Sequence, residues 1–270
     1  MNAFEKFIAF IKFETTATQA PFTPYHIVML SLFIAVTVIL CIKAKDCTDK
    51  TFRKIIFIIW AVLFVFEIYK QLTAPFSVVD GKAKWDYNFN DIPYQFCSSI
   101  HYTLLPIVFL KDGKVRDAFL SFTMTFVFLA GLMVCIFPDQ LKGMTSAGII
   151  LQTMVHHGLQ VVAGAFIAIR MRNKLSLKFF LLGVITFLVF LVIALIFNIA
   201  LSPDAIGGKT INFFYISPYH NCPLPVLGDI RKAVPWAVFF IIYFIGFNLL
   251  ALLISFIFRL ITKKMQPVKE

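Results

Sequence analysis

The hydrophobic positions of this chain fall into long, nearly uninterrupted runs that are separated by shorter polar segments. Runs of roughly 17–25 apolar residues have the length of a helix that crosses a bilayer. The pattern predicts seven such helices, at residues 25–43, 54–74, 93–110, 115–137, 147–169, 178–201 and 233–261. The third is short for a full crossing, and the seventh is long enough to tilt. We therefore predict an all-α, polytopic membrane protein.

The two ends of the chain carry different patterns. Residues 1–24 contain the segment FEKFIAFIKF, which is predicted to be an amphipathic helix lying in the membrane interface. Its apolar face combines four side chains: Phe4, Phe7, Ile8 and Ile11. Residues 25–261 are then the seven-helix transmembrane domain, and residues 262–270 are a basic cytoplasmic tail.

Composition and charge agree with the membrane prediction and add an orientation. The chain is 60% hydrophobic and 14% charged, with a net charge of +11, whereas soluble domains are about 25% charged. Lys and Arg collect in every second polar segment, near residues 43–54, 111–116, 170–178 and 259–269. Cytoplasmic loops are enriched in these residues, so we predict an outside N-terminus and a cytoplasmic C-terminus. Basic residues between spans form no aromatic-interleaved platform, which argues against nucleic acid as a partner.

Two outer segments are too long to be simple connectors. Residues 75–92 and 202–232 are rich in Pro, Gly, Asn and aromatic residues, and long loops are more often functional than connecting. The second segment is also too apolar for a solvated loop. We expect residues 202–232 to fold back as a cap, or lid, at the outer membrane face.

Polar side chains inside the apolar runs are costly in hydrocarbon and need a partner or a role. Eight stand out: Glu67, Cys97, His101, Gln152, His156, His157, Asn198 and Asn248. A thiol becomes a nucleophile when a histidine within reach takes its proton and a third polar group orients that histidine. Glu67 is a candidate for this third group. Each residue also has an ordinary interpretation, as a buried apolar-like cysteine or as a hydrogen-bond partner between helices.

Cys97 and His101 begin the third predicted span. Pro93 is suited to a first helical turn, which predicts Cys97 just past that turn, near headgroup depth in the outer half of the membrane. His101 would then lie one turn deeper on the same face.

His156 and His157 lie near the middle of the fifth span. Neighbouring helical positions point about 100° apart, so only one of the two is expected to face a given site. The outer-segment residues His220 and Cys222 are too few and unsuitably spaced for zinc. We therefore predict no metal and no cofactor.

The order of several short motifs resembles the YwaF-like bacterial integral membrane proteins, relatives of the animal transmembrane-protein-164 group. The motifs are His26 in PFTPYHIVML, Pro93 with Cys97, His157 with Gly158, and Asn198 followed by NFFY, SP and Pro235–Trp236. The resemblance implies a bacterial plasma-membrane protein. It also implies a cysteine-dependent acyltransferase that acts on phospholipids, with the cysteine at Cys97 and the histidine at His157. Many bacterial members have a histidine two residues before the cysteine, where this chain has Gln95.

These observations lead to one functional hypothesis and two alternatives. In the hypothesis, Cys97 attacks an acyl ester of a membrane lipid, His157 or its rival His156 acts as base, and Gln95 or backbone amides stabilise the oxyanion. Transfer and hydrolysis both remain open, and His101 is a reserve base. The alternatives are a small-solute transporter and a non-catalytic lipid-binding protein. The sequence leaves the oligomeric state open.

Overall fold

The computed structural model describes residues 1–13, 22–138, 141 and 144–265, and is mostly helical. A β-hairpin, β1 (Phe76–Val79) with β2 (Lys82–Trp85), follows the third helix, and its strands pair Phe76 with Trp85. The helices are α1 (Ala3–Lys12), α2 (Pro24–Lys43), α3 (Asp49–Thr73), α4 (Ser99–Phe109), α5 (Lys114–Ile136), α6 (Ala147–Arg170), α7 (Leu177–Ala200), α8 (Leu227–Ala233) and α9 (Trp236–Thr262).

Within the described residues, six helices are long and apolar enough to cross a membrane: α2, α3, α5, α6, α7 and α9. Their bounds lie close to six of the predicted spans. The chain is thus a multi-pass membrane protein. The helix α4 has 11 residues, or about 16 Å at 1.5 Å per residue, which is about half of a bilayer core.

Local capping explains why these helices begin where they do. The hydroxyl groups of Thr48, Ser146 and Ser176 accept hydrogen bonds from the first turns of α3, α6 and α7. Pro24 opens α2, at a position where its missing N–H costs nothing. These caps place the helix ends at the polar boundaries of the apolar runs.

The helix α6 lies at the centre of the bundle. It packs against α2, α3 and α5, and α5 also packs along α7. In the most apolar 18-residue window of each helix, the buried share is 72% for α6 but only 17% for α2 and 17% for α9. The helices α2 and α9 therefore present most of their apolar side chains outward, where lipid would cover them.

Close approach of α5 to α6 depends on Gly131. A Cβ at this position would lie 2.6 Å from the His157 carbonyl oxygen and 2.6 Å from the Gln160 Cβ. Only glycine therefore allows this spacing beside the two polar residues of α6.

The structure corrects the predicted start of the third span. The helix does not begin at Pro93, and Cys97 does not lie past its first turn, because α4 starts at Ser99. The chain before it is held in tight turns, with Tyr94 N–H bonded to the Ile92 carbonyl and Ser98 N–H to the Gln95 carbonyl. Proline disfavours helix in the preceding residue but does not oblige one after it.

The same correction changes the depth of Cys97. Its carbonyl group contacts His156 and Gln160, which lie near the middle of α6. The prediction of headgroup depth for Cys97 is therefore wrong, and the cysteine lies level with the centre of the bundle. Non-helical backbone at such depth is tolerated where it is enclosed by protein or lines a polar cavity.

Residues of the two outer segments contact each other and the bundle. The Asn212 N–H donates to the Asn90 side chain at 2.9 Å. Asn198, fully buried in α7, accepts from the Phe213 N–H at 2.8 Å and donates to its carbonyl at 2.9 Å. Phe213, Phe214 and Ile216 are buried as a result, so this part of residues 202–232 is packed rather than solvated.

The opposite end of the bundle carries a network of ion pairs. Arg116 is 3% exposed and contacts Asp49 at 2.8 Å and also Asp112. Arg53 pairs with Asp49, and Lys174 with Asp117 at 2.8 Å. This network joins α3, α5 and the segment after α6 at the Lys- and Arg-rich end.

The structure describes part of each of the two predicted terminal segments. Residues 3–12 form the helix α1, in which Ile8 is buried while Phe4 and Phe7 are exposed. The interfacial position of this helix stays a prediction. Residues 14–21, and residues 266–270 of the predicted tail, lie outside the described residues.

Candidate functional site

A cavity of about 580 Å³ lies between α3, α6, the turns before α4 and the outer segments. It extends from the middle of the bundle toward the end that carries the outer segments. Most of the residues that line it are polar, and five of them are predicted site residues: Glu67, Gln95, Cys97, His156 and His157. Residues that are far apart in the sequence therefore meet in one space.

The backbone of Cys97 is fixed by two side chains of α6. Gln160 Nε2–H donates to the Cys97 carbonyl oxygen at 2.8 Å, and His156 Nε2–H donates to the same oxygen at 3.3 Å. Gln160 is fully buried. These two bonds hold the cysteine in position although it lies outside a helix.

The two adjacent histidines both face the cavity. This corrects the prediction that only one of them would do so. Their rings are 5.1 Å apart and nearly perpendicular. His157 Nδ1–H donates to the Thr153 carbonyl oxygen at 2.7 Å, which leaves His157 Nε2 as the ring nitrogen that can accept a proton.

The carboxylate of Glu67 has two different oxygen environments. Oε1 accepts from Gln71 at 2.7 Å and from Lys70 at 3.0 Å. Oε2 lies 3.7 Å from His101 Nε2 and has no hydrogen-bond partner among the described residues. Glu67 thus neighbours His101, which lies beside the cavity with its ring 5.2 Å from that of His156.

Gln95 connects the cysteine segment to the outer segment. Its Nε2–H donates to the Asn212 carbonyl and its Oε1 accepts from the Phe214 N–H, each at 3.1 Å. Both ends of the amide are engaged with backbone. The residue therefore fixes the turn before Cys97.

Two further predicted residues lie away from the cavity lining. Asn198 is bonded to Phe213, as described above. His26 is buried between α2 and α5, where Nδ1 accepts from the Phe22 N–H and Nε2–H donates to the Cys135 carbonyl. Both make hydrogen bonds that join neighbouring parts of the fold.

The outer part of the cavity contains opposite charges. Lys70 and Asp91 both line it. Burial raises the pKa of the Asp91 carboxyl, Lys70 acts to lower it and Glu67 acts to raise it. A zwitterionic or polar group would find both signs of charge here.

Sequence reasoning missed Gln160 and Lys70, although a signal for both was present. Gln160 follows His156 by four residues and Lys70 follows Glu67 by three, so each pair lies on one helix face. Polar residues at helical spacing inside apolar runs mark a polar interior. The same signal applies to Thr153 and His157.

One group of side chains has the composition of a metal site. Glu67, His101 and His156 each offer a ligand atom, and these atoms lie within 4.8 Å of one another. They come from α3, α4 and α6, so no regular spacing along the chain indicates that they form one site.

Comparison with known proteins identifies one family. The family model described as the TMEM164 family matches residues 21–261. No curated protein and no solved structure matches the chain.

Proposed function

The chain belongs to the TMEM164 family, and from this premise we propose that it is a membrane-embedded lipid acyltransferase with Cys97 as nucleophile and His157 as base. One observation carries the proposal: Cys97 and His157 line the same cavity of about 580 Å³. The resemblance described above supplies the reaction class.

Each histidine is held through one ring nitrogen, and we choose His157 as the base because His156 is already bonded to the Cys97 backbone. His156 uses Nε2 to hold the Cys97 carbonyl, so that it positions the cysteine backbone. His157 is held through Nδ1, and its Nε2 remains available to take a proton. A base that is oriented through its second nitrogen is the usual arrangement in nucleophilic catalysis.

The first half-reaction forms an acyl thioester. The Cys97 thiol gives its proton to His157 Nε2 while Sγ attacks the carbonyl carbon of a lipid ester. The bond between that carbon and the glycerol oxygen breaks, and the leaving oxygen takes the proton from His157. The acyl group then remains on Cys97 as a thioester.

The second half-reaction releases the acyl group to an acceptor. The acceptor hydroxyl gives its proton to His157, and its oxygen attacks the thioester carbon. The carbon–sulfur bond breaks, and the thiolate takes the proton back. A lysolipid acceptor gives transfer and water gives hydrolysis, so both products belong to the same mechanism.

The surroundings of Cys97 suit the two parts of a phospholipid. The polar lining, with Lys70 and Asp91, suits a headgroup. Apolar side chains of the same lining, among them Met144 and Ile149, would contact the acyl chain. Thus the ester would lie between them, at the cysteine.

The proposal includes a topology. The chain would cross the membrane seven times, with the third crossing divided into the turns before α4 and the short helix itself. The Lys- and Arg-rich end would be cytoplasmic, and the C-terminus with it. Residues 202–232 would cover the cavity as an outer cap.

A transporter is the main alternative, because α4 begins in mid-bundle and discontinuous helices are common in transporters. A transport path must reach both faces. Among the residues that the structure describes, the lining of the cavity contains none from the Lys- and Arg-rich end. This one-sided cavity favours acyl chemistry.

The test is acyl transfer by the purified protein in vesicles of phosphatidylcholine with a labelled lysophospholipid. The Cys97→Ala variant is expected to lose at least 100-fold in rate, because the nucleophile is absent. Cys135→Ala is the matched control, since Cys135 is also a free thiol but is buried in α5, outside the cavity lining. A Cys97→Ala protein that folds and keeps the rate would refute the proposal.

A further inference from the structure

The strongest feature that acyl transfer does not use is a set of buried polar atoms without partners. Glu67 Oε2, both ring nitrogens of His101 and His156 Nδ1 have no hydrogen-bond partner among the described residues. The three residues are 4–8% exposed. A buried polar atom without a hydrogen bond destabilises the folded state, so four of them at one place point to a missing partner.

From these atoms we infer that Glu67, His101 and His156 form a binding site for a divalent transition metal such as Zn²⁺. Two imidazoles and one carboxylate are ligands that Zn²⁺ prefers. A single cation would satisfy one orphaned atom on each of the three residues, and it would join α3, α4 and α6.

The separations fit a metal after small adjustments. Tetrahedral zinc with bonds of about 2.0–2.1 Å holds its ligand atoms about 3.3 Å apart. Glu67 Oε2 and His101 Nε2 are already 3.7 Å apart, and the complete set lies within 4.8 Å. Side-chain rotations that shorten the longest separation by about 1.5 Å would complete the geometry.

Neighbouring groups hold two of the three ligands, His156 and Glu67, in the orientation that metal binding needs. His156 donates Nε2–H to the Cys97 carbonyl, which leaves Nδ1 as the nitrogen with a free lone pair. Metal-bound histidines usually donate their second N–H to such an acceptor. The Glu67 Oε1 atom is held by Lys70 and Gln71, so Oε2 is the oxygen left for the metal.

Three protein ligands leave one position of a tetrahedral metal open. Glu67 and His156 line the cavity, so the open position would accept water or an oxygen of a bound molecule. His157 is not part of the set of ligand atoms that lie within 4.8 Å of one another. The two adjacent histidines would thus have separate roles. The metal site does not depend on the proposed acyl transfer.

The test is metal content, measured without turnover. The purified full-length protein in detergent is loaded with Zn²⁺, dialysed against buffer and analysed by mass spectrometry for bound zinc. The expected result is about one Zn²⁺ per chain. His101→Gln and His156→Gln are expected to weaken zinc binding at least 10-fold, whereas the matched variant His157→Gln, a buried histidine in the same cavity, is expected to retain it.

A second measurement does not depend on whether the variants fold. X-ray absorption spectroscopy of the zinc-loaded, unsubstituted protein reports the ligand atoms around the metal. The expected spectrum contains two imidazoles and oxygen ligands and no sulfur. The absence of bound zinc, equal zinc loss from His157→Gln and His156→Gln, or a sulfur ligand from Cys97 would overturn it. Activity is not measured, so this result is independent of the failure or success of acyl transfer.

Discussion

At the scale of single residues, the position of Cys97 is determined by hydrogen bonds to its carbonyl group rather than by a helix. Gln160 and His156 reach it from α6. The sequence indicated Cys97 and the histidines as candidates. It did not indicate Gln160 as a support. The spacing of Gln160 from His156 indicates a polar helix face but does not indicate which group the amide contacts.

Gln160 gives a prediction at this scale. Gln160→Leu removes the 2.8 Å bond to the Cys97 carbonyl, so the thiol is held less well at the ester. We expect kcat for acyl transfer to fall about 10-fold with little change in KM, since positioning affects the reacting geometry more than binding.

Asn248→Leu is the control for this substitution, because among the described residues the Asn248 side chain bonds only within its own helix, to Phe244 at 2.7 Å. Its kinetic constants should match those of the unsubstituted protein. A Gln160→Leu protein with unchanged kcat would show that the carbonyl contact does not matter for catalysis.

At the scale of helices and segments, five of the six spanning helices begin and end within three residues of their predicted bounds. The start of α3 was predicted at residue 54, whereas the helix begins at Asp49, because Thr48 caps it and the charged first turn is helical. The error at Pro93 was larger. The residues before Cys97 are apolar enough to predict helix, yet contacts with the outer segment hold them in turns.

Asn198 provides the prediction at this scale. Asn198→Leu removes two buried hydrogen bonds to Phe213. The Phe213 N–H then has no partner among the described residues, while the Phe213 carbonyl keeps the Ile216 N–H at 3.3 Å. We expect a loss of about 2–4 kcal/mol in the free energy of unfolding, measured by thermal unfolding in detergent.

The outer segment should also become more accessible in this variant, which limited proteolysis would detect. Asn248→Leu again serves as the matched control and should unfold at nearly the original temperature. Equal stability of Asn198→Leu and the unsubstituted protein would mean that these bonds do not hold the segment to α7.

At the scale of the whole molecule, six of the predicted spans were recovered because hydrophobic length alone determines them. The convergence of Glu67, His101 and His156 was beyond sequence reasoning, since it depends on how α3, α4 and α6 pack. The charge pattern predicts the orientation of this bundle, and the ion pairs of Asp49 and Arg116 lie at its basic end.

Orientation can be tested with two exposed positions at opposite ends. A membrane-impermeant maleimide should label an Asp204→Cys variant in intact cells, because residues 202–232 are predicted to be outside. A Lys114→Cys variant should be labelled only after the cells are made permeable, because its turn is predicted to be cytoplasmic. The reversed pattern would invert the topology and place the opening of the cavity on the cytoplasmic side.

The most direct measurement of the central claim is detection of the acyl group on Cys97. The purified protein is incubated with a phospholipid that carries an alkyne-tagged acyl chain, quenched in acid and analysed by peptide mass spectrometry. We predict a hydroxylamine-sensitive acyl thioester on the peptide that contains Cys97, unchanged in Cys135→Ala and accumulating less in His157→Gln. An unmodified Cys97 peptide in a protein that nevertheless transfers acyl groups would contradict the account.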